Sequence, residues 1–202
     1  MNIDAKNLLN SILDSLSRID YIKPQDLPNI DLYMDQVTTF MDAQLAVSKR
    51  HPEDKILTKT MINNYAKNKL LPPPVKKKYS REHLLALIFI YYFKHILSIG
   101  DIQAILNPIM DQYFSPDLDF NLEDIYSEVF CLEENEIQNL KKDITKKYQT
   151  SQQTFPDVSP EEQEDLQLFS FICMLSFDVY VKKQLIEKLI DTKSAGTPEE
   201  KA

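Results

Sequence analysis

An all-α fold is predicted by three features of the sequence. Only two glycines, Gly100 and Gly196, occur among 202 residues, too few for the positive-φ turns that hairpins and tight βα connections use. Apolar residues recur at three- and four-residue spacing through most of the chain, the period of an amphipathic helix. Ser, Thr or Asn stands ahead of several of these runs, with an acid or a proline just behind it, as at helix starts. Apolar residues make up 43% and charged residues 27% of the chain, a globular balance that excludes wholesale disorder and a membrane-embedded protein.

Residues 1–24 open with an amphipathic helix marked by Leu8, Leu9, Ile12, Leu13, Leu16 and Ile19. Asn29 is placed to cap a second helix through Ile30, Tyr33, Met34, Val37, Phe40, Met41 and Leu45, and His51-Pro52 follows it. Thr58 is the expected cap of a short third helix reaching about Asn68. Leu71-Pro72-Pro73-Pro74 then forces an extended stretch, because proline disfavours helix in the residue before it. Ser80 caps a fourth helix whose run Leu84–Phe93 is apolar all round, as in a central buried helix, and too short to cross a bilayer. Ser98 with Asp101 opens a small helix through Ile102, Ile105 and Leu106. Asn107-Pro108 and Ser115-Pro116 are expected to mark a boundary, closing a domain over residues 25–110.

Residues 116–192 read as a helical region for dimerisation or sensing. Leu122 to Phe130 and Ile137 to Tyr148 form acidic helices, Thr150–Pro156 a polar linker, and Ser159-Pro160-Glu161-Glu162 a strong helix start. The last helix should run to Asp191, leaving 193–202 as a disordered tail. Its stretch Leu166–Val181 is nearly apolar but carries Asp178, so it is expected to be buried or oligomer-forming, with a pocket for an apolar small-molecule effector as the less common use.

Several chemistries find no material. Two glycines cannot build a phosphate-cradling loop or a nucleophile elbow. His51, His83 and His95 show no ligand spacing with each other or with Cys131 and Cys173, and are expected at the surface or at element boundaries. The cysteines make neither a C-x-x-C pair nor a disulfide framework, and are expected as half-buried reduced thiols. Glu133-Glu134-Glu136 and Glu161-Glu162-Glu164-Asp165 stand at helix starts, where the dipole accounts for them. No enzyme, metal or cofactor is expected. Met1–Ile19 lacks the pattern of an export signal, so a cytoplasmic protein is expected.

Charge is unevenly distributed. The net value is −8, yet residues 49–95 carry eleven Lys or Arg against three acids, +8, leaving −16 on the remainder. Such asymmetry is the footprint of a polyanion or an acidic partner. Within it, Thr60–Lys69 placed on a helical wheel puts Met61, Ile62, Tyr65 and Ala66 on a core-facing stripe. The opposite arc carries Thr60, Asn63, Asn64, Lys67 and Asn68 with Lys59 just ahead, all hydrogen-bonding or positive and none acidic. Asparagine pairs with adenine edges in the major groove, while Lys and Thr reach bases or phosphates. The following Pro72–Pro74 segment projects Lys76, Lys77 and Lys78 beside the helix, with Tyr79 as an apolar root and Arg81 close behind.

Thr58–Tyr65 with Leu70-Leu71-Pro72-Pro73, then Lys78-Tyr79 and a helix, resembles the winged helix-turn-helix of MerR-type regulators. Ser98–Leu106 is similar to the short helix those domains place after the wing helix. The stretch Asp26–Leu106 more closely resembles a bacterial domain-of-unknown-function family, YkrK-like, described as regulators. Lys69 stands where the MerR pattern has glycine, and lysines stand where its wing carries arginine. The resemblance implies a DNA-binding module, not a metal sensor or a promoter-untwisting mechanism. The expected protein is therefore a homodimeric regulator of double-stranded DNA, with Thr60, Asn63, Asn64 and Lys67 reading bases. Lys59, Lys76, Lys77, Lys78, Tyr79 and Arg81 complete the surface. A protein adaptor using the same basic surface is the alternative.

Overall fold

The computed structural model describes residues 5–16 and 22–195, and the chain is mostly helical. The helices are α1 (Ala5–Leu16), α2 (Met34–Gln44), α3 (Lys59–Lys67), α4 (Arg81–Phe93), α5 (Ile99–Tyr113), α6 (Leu122–Phe130), α7 (Glu133–Ser151) and α8 (Pro160–Ala195). Two short strands, β1 (Leu32–Tyr33) and β2 (Lys78–Tyr79), pair antiparallel with Leu32 opposite Tyr79 and Tyr33 opposite Lys78. Among the described residues no helix is long and apolar enough to cross a membrane. The fold divides into two compact units, one of residues 21–131 with the chain from Ile186, the other of residues 1–20 with 132–185.

The first unit is built around α4. Leu84, Leu85, Leu87, Ile88 and Ile90 are fully buried, so the helix that is apolar all round is surrounded on every side. Phe89 packs on Tyr126 and Phe130 of α6, each at 5.5 Å, and the buried Tyr126 hydroxyl donates to the Ile22 carbonyl at 2.7 Å. Residues 111–131 thus belong to this unit. The boundary expected there is absent, because α5 continues through Pro108 to Tyr113. Pro108 is exposed while Ile102, Leu106 and Met110 face the core, so packing carries the helix across the hydrogen bond that proline removes.

Local chemistry sets the element ends. The Thr58 hydroxyl accepts from the Met61 N–H at 3.1 Å, and Ser98 accepts from the Asp101 N–H at 3.1 Å while Asp101 accepts from Ser98 N–H. At α4 the Ser80 N–H donates to His83 Nδ1 at 3.0 Å. His83 takes the acceptor role that glutamate usually fills in such a box. It stands at an element boundary, one of the two places expected for it, but is buried there, not at the surface, and sits edge-on to Tyr79 and Phe114. Burial holds its imidazole below the ordinary pKa. Asn29 does not cap α2, because pairing of β1 with β2 keeps Leu32–Tyr33 extended and delays the helix to Met34. Ile30 and Tyr33 are exposed as a result.

In the second unit α7 and α8 are joined by a turn that Gln167 closes, its amide donating to the carbonyls of Gln152 at 2.8 Å and Thr154 at 3.2 Å. Phe171 packs edge-on to Tyr148. Lys147 bridges Asp143 and Asp178, which explains the acid inside an apolar run. Leu166–Val181 is only half buried: Phe171 is covered, but Phe169, Ile172, Phe177, Val179 and Tyr180 are exposed. Cys131 and Cys173 are exposed thiols, not half-buried ones. α8 passes Asp191 and ends at Ala195; the rest of the expected tail lies outside the described residues.

Candidate nucleic-acid interface

Helix α3 is held by one face. Ile62 and Tyr65 are buried with Leu70 and Leu71, while Lys59, Thr60, Asn63, Asn64, Lys67 and Asn68 face outward. Met61 sits on the shoulder at 36% exposure, leaving the core stripe narrower than the wheel suggests. No acid lies on the helix. Lys59 pairs with Asp35 of α2 at an exposed position, an ion pair weak in water and open to exchange for another anion. Asn68 donates to the Asn64 carbonyl at 2.9 Å and accepts, through its own carbonyl, from Gln103 of α5. The C-terminal end is therefore fixed, and the Asn63 and Asn64 side-chain amides remain exposed.

The helix ends in a Schellman motif. The Lys69 N–H donates to the Ala66 carbonyl at 3.1 Å and the Leu70 N–H to the Tyr65 carbonyl at 2.9 Å. Lys69 has φ 55°, the left-handed conformation for which glycine is the usual choice. Here a lysine, not a glycine, takes that conformation.

Next comes a hairpin that the sequence alone does not announce. Val75 N–H donates to the Lys78 carbonyl at 3.1 Å, and Lys78 N–H returns to Val75 at 2.9 Å. Lys76 and Lys77 form the two-residue tip with φ 49° and 67°. Positive φ at both tip positions defines a type I′ turn, whose preferred residues are Asn-Gly. Both lysines are exposed and carry no ion pair among the described residues. Lys78 lies 5.4 Å from the centre of the Tyr33 ring, so β1 braces the hairpin by side chain as well as by backbone.

Two expected contacts leave the accessible face. Tyr79 is 3% exposed beneath the hairpin, and burial raises the pKa of its hydroxyl. Arg81 donates through Nε and Nη2 to Glu123 at 2.6 and 2.8 Å, through Nη2 to Pro24 O at 2.6 Å, and through Nη1 to Leu27 O and Asn29 Oδ1, both at 3.2 Å. Its guanidinium clamps α6 to the 24–29 loop and is already surrounded by acceptors. The hydrogen bond to Glu123 holds its pKa above the ordinary value. Other basic residues of the segment are also structural. Lys49 pairs with Asp42. Lys94 donates to the Ile56 carbonyl at 2.7 Å over the Tyr91 ring, and its pKa is lowered by burial.

What stays outward is compact in sequence and falls on three consecutive features: Lys59, Thr60, Asn63, Asn64, Lys67 and Asn68 on and at the end of α3, Lys69 just after it, and Lys76 and Lys77 at the tip. Lys69 is the one that the helical wheel misplaces, because at about 100° per residue it falls on the core-facing arc, whereas its positive φ takes it off the helix and into solvent. Among the described residues no group of His, Cys, Asp or Glu is arranged to hold a metal ion.

Neither the curated proteins nor the solved structures contain a match to this chain. A family model does match, over residues 22–129, nearly the span of the continuous part of the first unit, 21–131. The matched span therefore takes in α2 to α6 with α3 and the hairpin, and the chain belongs to the DUF1836 family, a domain of unknown function.

Proposed function

We propose that the DUF1836 unit binds double-stranded DNA in a sequence-specific manner and acts as a cytoplasmic transcription regulator. One observation carries the reading: an acid-free outward face of α3 with two exposed asparagine side chains is followed directly in the chain by a hairpin whose tip is two lysines in left-handed conformation. Strained backbone of this kind costs about 1–3 kcal/mol per residue and recurs where the side chain has a task. The order helix, helix, hairpin, buried helix supports a MerR-like winged helix-turn-helix. A helix about 10–12 Å across with its side chains fits a major groove about 12 Å wide, and the nine residues of α3, at about 1.5 Å each, present a length of about 14 Å to it. Asn63, Asn64, Thr60 and Lys67 then meet base edges, and Lys69, Lys76 and Lys77 meet phosphates, which fix register without carrying sequence information. The −16 carried by residues outside 49–95 repels DNA elsewhere and so favours this face.

The test is retention of sheared genomic DNA by the purified chain at about 150 mM salt, where phosphate-driven attraction alone is much reduced, followed by sequencing. A reproducible motif supports the reading. Uniform or absent retention refutes it and leaves the basic surface to an acidic protein partner.

A further inference from the structure

We propose that the exposed face of α8 is the contact between two copies of this chain, paired antiparallel about a two-fold axis near Cys173–Ser176. The inference rests on unit two alone and does not depend on DNA binding. At about 100° per residue, Phe169, Ile172, Cys173, Ser176, Phe177, Val179 and Tyr180 fall within about 160° of arc. All are exposed, with Phe169 at 61%, Ile172 at 51%, Phe177 at 66%, Val179 at 59% and Tyr180 at 61%. The opposite arc holds Gln167, Phe171 and Asp178, which are engaged with α7 and its turn. One side of the helix is therefore used up, and the other is a continuous apolar strip.

A second copy fits the strip for three reasons. The first is area. Aromatic side chains bury about 150–250 Å² each and aliphatic ones somewhat less, so five large residues exposed by more than half offer about 600 Å² per copy. Two copies bury about 1,200 Å², the lower bound of stable interfaces, and the about 600 Å² on each copy stands at the upper end of what a monomer exposes as one patch.

The second is shape. An antiparallel pairing centred between Cys173 and Ser176 sets Phe169 of one copy against Tyr180 of the other, and Ile172 alongside Val179. The small Cys173 and Ser176 lie at the crossing, where the helices approach most closely.

The third is charge. Asp165 and Lys183 occupy the same azimuth at opposite ends of the strip, and both are exposed. The two-fold places Asp165 of each copy beside Lys183 of the other, on the same flank of the seam. A parallel pairing would set each residue against its own like. In this register Glu162 of each copy also faces Glu187 of the other, a like pair at each end of the seam, and Lys183 exchanges a contact within its own chain for Asp165 of the other copy. Glu161, Glu162 and Asp165 at one end of the strip also disfavour an anionic lipid surface as the occupant.

Sedimentation of the full chain without DNA tests this. The wild-type chain should sediment as a dimer, and the Phe169→Glu/Tyr180→Glu double variant as a monomer with unchanged helical circular dichroism. Because both side chains are exposed, loss of folding is not the expected result. Asp165→Lys should weaken the dimer by at least about tenfold, since like charges then meet twice per dimer. Adding Lys183→Asp should restore it, a rescue that only the antiparallel register produces. A monomeric wild-type chain, a dimer indifferent to the double glutamate change, or failure of the charge swap to rescue would each overturn the proposal. Binding of the wild-type monomer to neutral lipid vesicles would overturn it in favour of a membrane surface.

Discussion

Replacing the hairpin tip with the residues its backbone prefers, Lys76→Asn together with Lys77→Gly, should move stability and DNA binding in opposite directions. Both positions have positive φ, 49° and 67°. A side chain in that conformation costs about 1–2 kcal/mol, and glycine removes most of it while asparagine tolerates it well. Neither lysine makes an ion pair among the described residues, so no native contact is lost in exchange. The variant should therefore gain about 1–2 kcal/mol in urea unfolding of the free protein, with Tm higher by about 2–4 °C per kcal/mol for a chain of this size. On DNA the same change removes two phosphate contacts. The slope of log K against log salt should flatten by about 1.8, taking about 0.9 per phosphate neutralised. Titration of a labelled duplex at four salt concentrations measures the slope directly. A variant less stable than wild type would refute the strained-turn argument, and an unchanged slope would take the hairpin tip off the phosphate backbone.

Three further outcomes follow from the same geometry. Lys69→Gly keeps the Schellman hydrogen bonds and relieves the left-handed lysine, so it should raise unfolding free energy by about 1 kcal/mol; a destabilised variant in urea melts would contradict the positive φ. Arg81→Ala strips the acceptors of Glu123 and the 24–29 loop of a guanidinium, and should cost about 2 kcal/mol for a half-buried charged hydrogen-bond cluster. The salt slope of DNA binding should stay at the wild-type value, and a flatter slope would return Arg81 to the interface. His83 has its pKa lowered chiefly by burial, so the unfolded chain takes up a proton near about pH 6.5 while the folded chain resists to lower pH. More protons are then bound in the unfolded state, and stability falls as pH drops below that point. Stability against pH for His83→Gln should lack this component; an identical profile would remove His83 as its source.

Much of the fold could be read from local chemistry. The caps Thr58 and Ser98 and the apolar-all-round α4 follow from short-range rules, and each has the structure those rules describe. Features set by distant partners could not be read this way. Leu32–Tyr33 looks like the first turn of a helix until β2 claims it, and Asn29 resembles a cap until the Arg81 guanidinium engages it. Pro108 reads as a boundary because its neighbours' packing is invisible locally. In the candidate site, the polar arc of α3 was plain from spacing alone. The Lys-rich segment 72–79 was expected as a wing, but its turn type was hidden because two lysines occupy a turn that normally advertises itself with Asn-Gly. Arg81 and Tyr79 have the right chemistry in the right segment, but Glu123 and the core hold them inward.

Base reading by α3 is tested most directly by selection from randomised duplexes with wild type and with Asn64→Ala, sequenced side by side. The wild type should yield a defined motif with adenine at the position facing Asn64. The variant should keep the rest of the motif and lose about 1–3 kcal/mol of discrimination at that one position. Identical motifs from the two proteins, or no motif from either, would contradict the claim.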